Sequence, residues 1–202
     1  MLINVTRPAD GIVELTLNRD EKRNALSEEL LVALEQELER ALIDGSAVLL
    51  TGAGTAFSAG ADLTAGDPTG IYPSLKRVVD VIRGAEKAVV AYVNGPAIGA
   101  GAMLAGACDI RVVAPSARFA IPVAKMGVTV PPSLAVELAD LVGGARARTM
   151  LMTGLPINAV TSVECGFAAL RGTYDDAVEV ARLCVAGDPA TIASIKGAYF
   201  SE

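Results

Sequence analysis

The sequence contains no histidine and no tryptophan, and only 4% of its residues are aromatic. Histidine is the commonest general base and the commonest metal ligand in proteins, so its absence excludes a Ser-His-Asp triad and argues against a metal site. Positive charge is also scarce: 17 Lys and Arg stand against 23 Asp and Glu, a net charge of −6. This balance argues against nucleic acid as a partner, while an anionic ligand can still bind where a helix N-terminus or a few basic side chains are placed for it.

Cysteine is rare as well. Cys108, Cys165 and Cys184 are an odd number of cysteines, and their spacing does not match a metal site. We interpret them as reduced core residues of a cytoplasmic protein.

One charge-free segment, residues 88–108, is long enough to be mistaken for a membrane span. Asn94-Gly95-Pro96 interrupts it near the middle, and proline and glycine break a continuous helix. The segment therefore favours a buried strand followed by a buried helix. Residues 1–11 lack a basic stretch followed by an apolar run, so they do not predict a signal peptide.

Apolar residues make up 52% of the 202 residues, enough to bury a sizeable core in one domain spanning residues 1–202. Strand patterns alternate with helix patterns, which predicts an α/β fold with a helical C-terminal part. The predicted elements are a hairpin of 2–6 and 12–17 with its turn at 8–11, a helix capped by Ser27 and ending near Asp44, a strand at 47–51, a helix at 74–84, a strand at 88–93, a helix at 99–107, strands at 109–113 and 117–121, and helices from Pro132 onward with one strand at 167–170.

Two stretches rich in small residues, 52–63 and 94–109, each follow a short apolar run and precede a predicted helix. Small residues let a ligand approach backbone N–H groups closely, and two N–H groups that face one another form an oxyanion hole. Gly99-Ala100-Gly101 begins like a dinucleotide-binding fingerprint, but Leu104 stands where the third glycine belongs. Neither stretch has the lysine of a P-loop. The pair of stretches therefore predicts two convergent backbone donors.

Three motifs carry a resemblance to a known family: Arg23-Asn24-Ala25-Leu26, FSAGADL at 57–63, and NGPAIGAGAMLAGACDIRVVAPSARFAIP at 94–122. In order and spacing, from about Ile3 to Lys196, the chain resembles the crotonase family, the enoyl-CoA hydratase/isomerase superfamily. The resemblance implies a spiral of ββα units over about residues 1–131 and a shortened helical part over about 132–202. It also implies a homotrimer or a dimer of trimers, and a fatty acyl-CoA thioester as substrate or ligand without a permanently bound cofactor.

The same resemblance implies site residues. The oxyanion hole would be formed by the backbone N–H groups of Ala59 and Ala100. Coenzyme A would be bound by Arg23, Asn24, Ala25, Leu26, Asp62 and Leu63, most of them through backbone atoms. For Arg23 the alternative is an ordinary exposed loop charge.

The sequence departs from the family's pattern at the two positions of the paired glutamates that hydratases use. These positions hold Met103, four residues after Gly99, and Val123, directly after Pro122. Neither side chain exchanges a proton, and general acid–base chemistry contributes roughly 10²- to 10⁴-fold to a rate. Certain actinobacterial members look similar in lacking the acid pair. Ser133-Leu134 also replaces the family's glycine pair.

Five other polar side chains are candidate substitutes for the missing glutamates. Asp109 fits a structural role, Glu137 fits a solvated helix face better than a pocket, and Lys125 fits a surface position. Asp67 and Tyr72 lie on a stretch rich in turn formers, residues 64–73, which we expect to be mobile and able to swing over a ligand. We assign a proton-transfer role to none of them.

Three hypotheses of function follow. The first is a crotonase-fold protein that binds fatty acyl-CoA without efficient hydratase activity. The second is an active hydratase or isomerase of unusual geometry, or a hydrolase using Ser133 or Asp67. The third is an interaction subunit that binds only a protein. Family members usually continue well beyond the lysine matching Lys196, so we expect a more open acyl pocket and weaker trimer packing.

Overall fold

The computed structural model describes residues 1–65 and 70–200. The strands are β1 (Ile3–Ala9), β2 (Ile12–Leu17), β3 (Ala47–Gly52), β4 (Ala88–Val93), β5 (Pro96–Ile98), β6 (Ile110–Val113), β7 (Arg118–Ala120), β8 (Ile157–Asn158) and β9 (Leu170–Arg171). The helices are α1 (Glu28–Asp44), α2 (Tyr72–Gly84), α3 (Ala100–Ala107), α4 (Val123–Met126), α5 (Pro132–Val142), α6 (Gly144–Thr153), α7 (Ala159–Glu164), α8 (Tyr174–Ala186) and α9 (Pro189–Phe200).

Local sequence signals account for the first helix. The Ser27 hydroxyl accepts a hydrogen bond from the Leu30 amide at 3.2 Å, and two glutamates in the first turn complement the helix dipole. Leu30, Leu34 and Leu38 recur at helical spacing and are fully buried. The predicted helix from Ser27 to Asp44 is confirmed.

The strands form two sheets. The larger has the order β1-β2-β3-β4-β6-β9, and the smaller has the order β5-β7-β8. In the larger sheet β1 and β2 are antiparallel and the other pairs are parallel; in the smaller, β5 and β7 are parallel. β4 and β6 each lie in the larger sheet and continue into β5 and β7 of the smaller one, followed by a helix. This repeat is the predicted ββα unit, and the α/β architecture is confirmed.

The larger sheet is covered on both faces. A large apolar cluster joins one face to α1, α2 and α3. On the other face, α8 buries Ala177, Val178 and Ala181 against the sheet's Ile12, Leu49, Val90 and Val112. The strands β3 and β4 are almost wholly buried, as expected for parallel strands covered on both faces.

Some boundaries differ from the sequence prediction. Pro8 lies inside β1 and not in the hairpin turn, because β1 is an edge strand and an edge residue can lack an N–H group. The short elements β5, α4 and β8 were not predicted. Residues 88–108 contain β4 and α3, the strand and helix that were predicted, with the short strand β5 between them. Within the described chain, no helix has the length and apolar character needed to cross a membrane.

Candidate carbonyl-binding site

Three segments of the chain meet at the predicted site: the loop 22–26, the segment 57–62 after β3, and β5 with the start of α3. The Leu26 amide donates to the Gly60 carbonyl at 2.7 Å, and the Asp62 amide donates to the Leu26 carbonyl at 2.8 Å. On the other side, the Ile98 amide donates to the Ser58 carbonyl at 2.9 Å. The segment 57–62 is therefore held between the other two, and the structure brings both small-residue stretches together as the sequence predicted.

The amide of Ala59 does not point into this site. It donates a hydrogen bond to the carbonyl oxygen of Arg23 at 2.9 Å. Neighbouring residues of an extended segment direct their N–H groups to opposite sides, and the Ser58 amide already faces β5, where it donates to Pro96 at 3.1 Å. The prediction that Ala59 supplies an oxyanion-hole donor is wrong for this reason.

The amide of Ala61 has the orientation that was expected of Ala59. The peptide bond between Gly60 and Ala61 is trans, so its N–H group points opposite to its carbonyl, which accepts from Leu26. The Ala61 N–H group therefore points away from Leu26, and within the described chain it donates no backbone hydrogen bond. The positive φ of Gly60 breaks the alternation of N–H directions along FSAGADL, so no spacing in the sequence identifies Ala61.

The amide of Ala100 also lies close to Gly60. The Gly99 carbonyl accepts from Ala102 and Met103 at 3.0 and 3.1 Å, so the N–H group of the same peptide points outward from the N-terminal end of α3. A Cβ placed on Gly60 would lie 3.8 Å from the Ala100 amide nitrogen. The amides of Ala61 and Ala100, both close to Gly60, are together called the carbonyl-binding site below.

Glycine is required at two points of this arrangement. Gly60 has φ +95°, and a Cβ there would lie 2.7 Å from the Ile98 carbonyl oxygen. Gly99 has φ 53° and ψ −119°, a conformation that an L side chain disfavours. The Gly99 amide donates to Ala120 at 2.7 Å, which fixes the start of α3 against β7.

Met103 and Val123 lie at the same end of the smaller sheet. Ile98 of β5 pairs with Ala120 of β7, so α3 and α4 both begin just beyond this pair. Val123 is buried and Met103 is half-buried, and both contact the large apolar cluster. Neither carries a group that could move a proton.

The residues predicted to bind coenzyme A divide into buried and exposed ones. Asn24 is fully buried: its amide nitrogen donates to the carbonyls of Ala53 and Ala56 at 2.9 and 2.8 Å, and its side-chain oxygen accepts from the Arg19 amide. The backbone groups of Leu26 are also bonded within the chain. These residues build the loop and offer little to a ligand. The side chains of Arg23 and Leu63 are exposed.

Asp62 joins the loop 22–26 to the segment 57–64. Its carboxylate lies 2.6 Å from Arg19 and 3.3 Å from Lys22, and it accepts from the Thr64 hydroxyl and amide at 2.7 and 3.0 Å. The two hydrogen bonds from Thr64, and then those from Arg19 and Lys22, hold the pKa of this carboxyl far below its ordinary value despite its burial. Asp62 is therefore ionised, and it offsets the positive charge of both basic neighbours.

The other polar side chains considered as substitutes for the glutamates take no part in the carbonyl-binding site within the described residues. Asp109 pairs with Lys196 at 2.7 Å and accepts from the Val89 amide at 2.7 Å, which is a structural role. Glu137 pairs with Arg83 at 2.9 Å and is half-exposed on α5. Ser133 is exposed in the first turn of α5, and Asp67 lies outside the described residues. Lys125 is exposed, with its stem packed near Gly154.

A separate open cleft of ≈ 550 Å³ lies where α5 meets α6. None of the predicted site residues lines it; its walls are formed by 142–146, 149–150 and 155–157. The carbonyl-binding site and this cleft are therefore different places on the molecule.

Comparison with known proteins shows which family the chain is similar to. The family model described as "Enoyl-CoA hydratase/isomerase" matches residues 7–199. The probable enoyl-CoA hydratase echA6 of Mycobacterium tuberculosis is 40% identical over 191 residues, which cover 90% of this chain and 77% of that protein. The probable enoyl-CoA hydratase echA14 of the same species is 36% identical over 186 residues, covering 87% and 71%.

Solved structures agree with the sequence matches. An enoyl-CoA hydratase of Mycobacterium smegmatis superposes with a TM-score of 0.89 at 31% identity, covering 99% of this chain and 82% of that one. A monofunctional enoyl-CoA isomerase of the same species superposes with a TM-score of 0.85 at 28% identity, covering 99% and 92%. The family model spans nearly the whole chain, and the relatives and structures agree with it. This chain therefore belongs to the enoyl-CoA hydratase/isomerase family, the crotonase superfamily.

Proposed function

We propose that this protein binds fatty acyl-CoA thioesters, with the thioester oxygen accepting hydrogen bonds from the amides of Ala61 and Ala100. The observation that carries the proposal is the orientation of these two peptides. The carbonyls of Gly60 and Gly99 are both bonded within the chain, so the N–H groups of the same peptides point away from these bonds, and both lie close to Gly60.

Such a pair of donors suits an acyl-CoA thioester in particular. Negative charge that develops on a thioester oxygen is stabilised by fixed N–H dipoles that need no reorganisation. One such donor is worth roughly 10²- to 10³-fold in the rate of a reaction that passes through an oxyanion. The apolar surface of Met103 and Val123 next to the site favours contact with an acyl chain.

Efficient hydration is not part of the proposed function. Hydration needs one group to deprotonate water and another to protonate the substrate, and the positions where the resemblance places them hold Met103 and Val123. A second candidate is an active hydratase or isomerase. The observation that favours it is the 40% identity to a protein named as a probable enoyl-CoA hydratase.

The nucleotide end of coenzyme A is proposed to lie over the loop 22–26 and Leu63. The exposed Arg23 side chain is available to a phosphate, while Asn24, Ala25, Leu26 and Asp62 hold the loop in place. Within the described residues, no group of three or more His, Cys, Asp or Glu side chains is placed to hold a metal ion.

Self-association into a homotrimer, or a dimer of trimers, is also proposed. Large apolar side chains are exposed on the C-terminal helices and their connections, namely Val136, Met152, Leu155, Leu183, Ile195 and Tyr199. Apolar surface of this extent supports an interface with another copy of the chain. The three cysteines are free thiols, and the cytoplasm is the proposed compartment.

Two measurements separate the candidate functions. We expect isothermal titration calorimetry to show long-chain acyl-CoA binding more tightly than free coenzyme A, and the absorbance of crotonyl-CoA to stay constant on addition of the protein. Rapid loss of that absorbance would establish the hydratase instead. If no acyl-CoA gives a heat of binding, the remaining hypothesis is an interaction subunit that binds only a protein.

Restoring the acids tests the geometry of the site directly. We expect the double variant Met103→Glu with Val123→Glu to hydrate crotonyl-CoA at a detectable rate, because each glutamate returns a proton-transfer group beside the carbonyl-binding site. The matched control is Met103→Gln with Val123→Gln, which is polar but cannot transfer a proton. A folded glutamate variant as inactive as the control would count against the proposed donor geometry.

A further inference from the structure

Ser58 occupies the point where all three segments of the carbonyl-binding site meet. It is fully buried. Its hydroxyl donates to the carbonyl of Asn24 at 2.8 Å and accepts from the amide of Gly60 at 3.2 Å. This one hydroxyl therefore joins the loop 22–26 to the turn that carries the Ala61 amide.

The backbone of Ser58 holds the other half of the site. Its amide donates to Pro96 at 3.1 Å and its carbonyl accepts from Ile98 at 2.9 Å, which ties the segment to β5 directly before α3. Gly101 in the first turn of α3 packs onto the same residue: a Cβ on Gly101 would lie 2.7 Å from the Ser58 Cβ and 2.8 Å from its hydroxyl oxygen.

Ser58 therefore contacts the residues next to both amides of the site. The hydrogen bond from the Gly60 amide to the Ser58 hydroxyl fixes the peptide between Ala59 and Gly60. The φ of Gly60, +95°, then sets the direction of the next amide, which is that of Ala61. The close contact with Gly101 fixes the distance of α3, and with it the Ala100 amide. A change at Ser58 alters the relation between the donors without removing either of them.

We propose that Ser58 is a positioning residue that sets the spacing and direction of the Ala61 and Ala100 amides. This inference rests on the proposed binding of an acyl-CoA carbonyl between them. Removing the hydroxyl leaves the buried Asn24 carbonyl and Gly60 amide without their partner, and a buried polar group without a partner is costly. The turn then relaxes to satisfy these groups, and the Ala61 amide leaves its aligned position.

The test uses Ser58→Ala in the full chain with two readouts. Isotope-edited infrared spectroscopy of bound hexadecanoyl-CoA, labelled with ¹³C at the thioester carbonyl, reports the hydrogen bonds to that oxygen, because they lower its stretching frequency. Calorimetry compares hexadecanoyl-CoA with free coenzyme A. We expect Ser58→Ala to lose most of the frequency shift and on the order of 10-fold in affinity for the thioester, while free coenzyme A changes less than about twofold.

The matched control is Ser162→Ala. Ser162 is also fully buried, and its hydroxyl donates to the Ala159 carbonyl at 2.8 Å, but it lies in α7. We expect it to lose comparable stability and keep the wild-type frequency shift. If Ser58→Ala does not fold, Ser58→Cys replaces it, because a thiol fills the site but hydrogen-bonds weakly.

The outcomes separate this inference from the proposed function. If the wild-type protein shows no frequency shift, the proposed binding of the thioester carbonyl between the two amides is wrong. A wild-type shift that persists unchanged in the folded Ser58 variant overturns the role of Ser58 and leaves the site standing. Equal losses for hexadecanoyl-CoA and free coenzyme A also overturn it, since they would show only a general loosening of the loops.

Discussion

Gly60 is the residue on which the direction of the Ala61 amide depends. Its positive φ turns the chain between two hydrogen-bonded neighbours, and its missing Cβ lets the Ile98 carbonyl approach. The motif FSAGADL showed that a ligand could approach this stretch, but composition alone does not tell which amide is free. The sequence predicts Ala59, whereas in the described chain the Ala59 amide is bonded to Arg23 and the Ala61 amide donates no backbone hydrogen bond. Which amide is left available depends on which side of the segment faces the loop 22–26, and this is set by tertiary structure.

Gly60→Ala is expected to weaken both folding and binding. Placing an L residue at φ +95° costs about 1–3 kcal/mol of unfolding free energy, and the added Cβ collides with the Ile98 carbonyl. We expect urea denaturation to show this loss, and calorimetry to show at least about a 10-fold loss of acyl-CoA affinity. The control is Gly197→Ala in α9, where a Cβ meets nothing within 4 Å and stability should rise slightly.

Asp62 predicts a pH dependence of stability. Its pKa is lowered in the folded protein, so the ionised carboxylate stabilises the fold fully above the unfolded pKa of 3.8, and this contribution is lost as the pH falls toward the lower folded pKa. We expect Asp62→Asn to lower the free energy of unfolding by about 1–3 kcal/mol at neutral pH. The difference in unfolding free energy between this variant and the wild type should stay constant from about pH 7 to pH 5 and shrink below about pH 4.

Asp44→Asn is the control for this series. Asp44 forms a 3.0 Å pair with Arg7, but both side chains are 56% exposed, so the loss should be below about 1 kcal/mol at every pH. A gap between wild type and Asp62→Asn that keeps its size down to about pH 2 would contradict the role given to the carboxylate.

At the scale of elements, basic side chains that lie outside the helices they contact bind the C-terminal ends of three helices. Lys87 donates to the Gly45 carbonyl after α1 at 2.7 Å, Lys196 donates to Ile82 in the last turn of α2 at 2.9 Å, and Arg111 donates to the Cys108 carbonyl after α3. Free carbonyls and the negative end of the helix dipole favour a cation there. None of these pairs could be predicted from the sequence, since each partner is distant or lies in another element.

Lys196 anchors α9 through this interaction. Its side chain is nearly buried, and it also donates to the Lys87 carbonyl and the Asp109 carboxylate at 3.0 and 2.7 Å. We expect Lys196→Met to speed hydrogen exchange in α9 by at least about 10-fold and to cost about 3 kcal/mol or more, because Asp109 loses its buried counter-charge. Exchange in α1 should stay the same. Exchange in α9 that matches the wild type would contradict the anchoring role.

The control for this variant is Lys76→Met. Lys76 pairs with Asp80 at 2.6 Å along α2, but its side chain is 75% exposed. An exposed pair four residues apart is worth about 0.3–0.5 kcal/mol, so α9 should exchange as in the wild type.

At the scale of the whole molecule, the alternation of strand and helix patterns was sufficient to predict the α/β class. Long elements such as α1, β3 and β4 were predicted within a residue or two, because burial imposes a clear period on them. β5 and β8, of three and two residues, were missed because such short strands depend on their partners for pairing. The division near residue 131 stays a prediction.

The oligomeric state is tested by placing charge on the exposed apolar surface. Met152 in α6 is 71% exposed. We expect sedimentation velocity to give a trimer or hexamer for the wild type and a smaller species for Met152→Lys, because burying a lysine at an apolar interface is costly. Ile43→Lys is the control, since Ile43 is 80% exposed in α1 and does not belong to the C-terminal helices. Monomeric wild type would contradict the proposed assembly.

The position of α8 has a consequence for synthesis. Ile12, Leu49, Val90 and Val112 are fully buried beneath a helix that begins only at Tyr174. While the ribosome is still translating the second half of the protein, the strands already made have nothing to cover that side. Nascent chains with uncovered apolar sheets aggregate readily. This protein is therefore expected to depend on chaperones during translation, and premature termination before α8 should yield insoluble fragments.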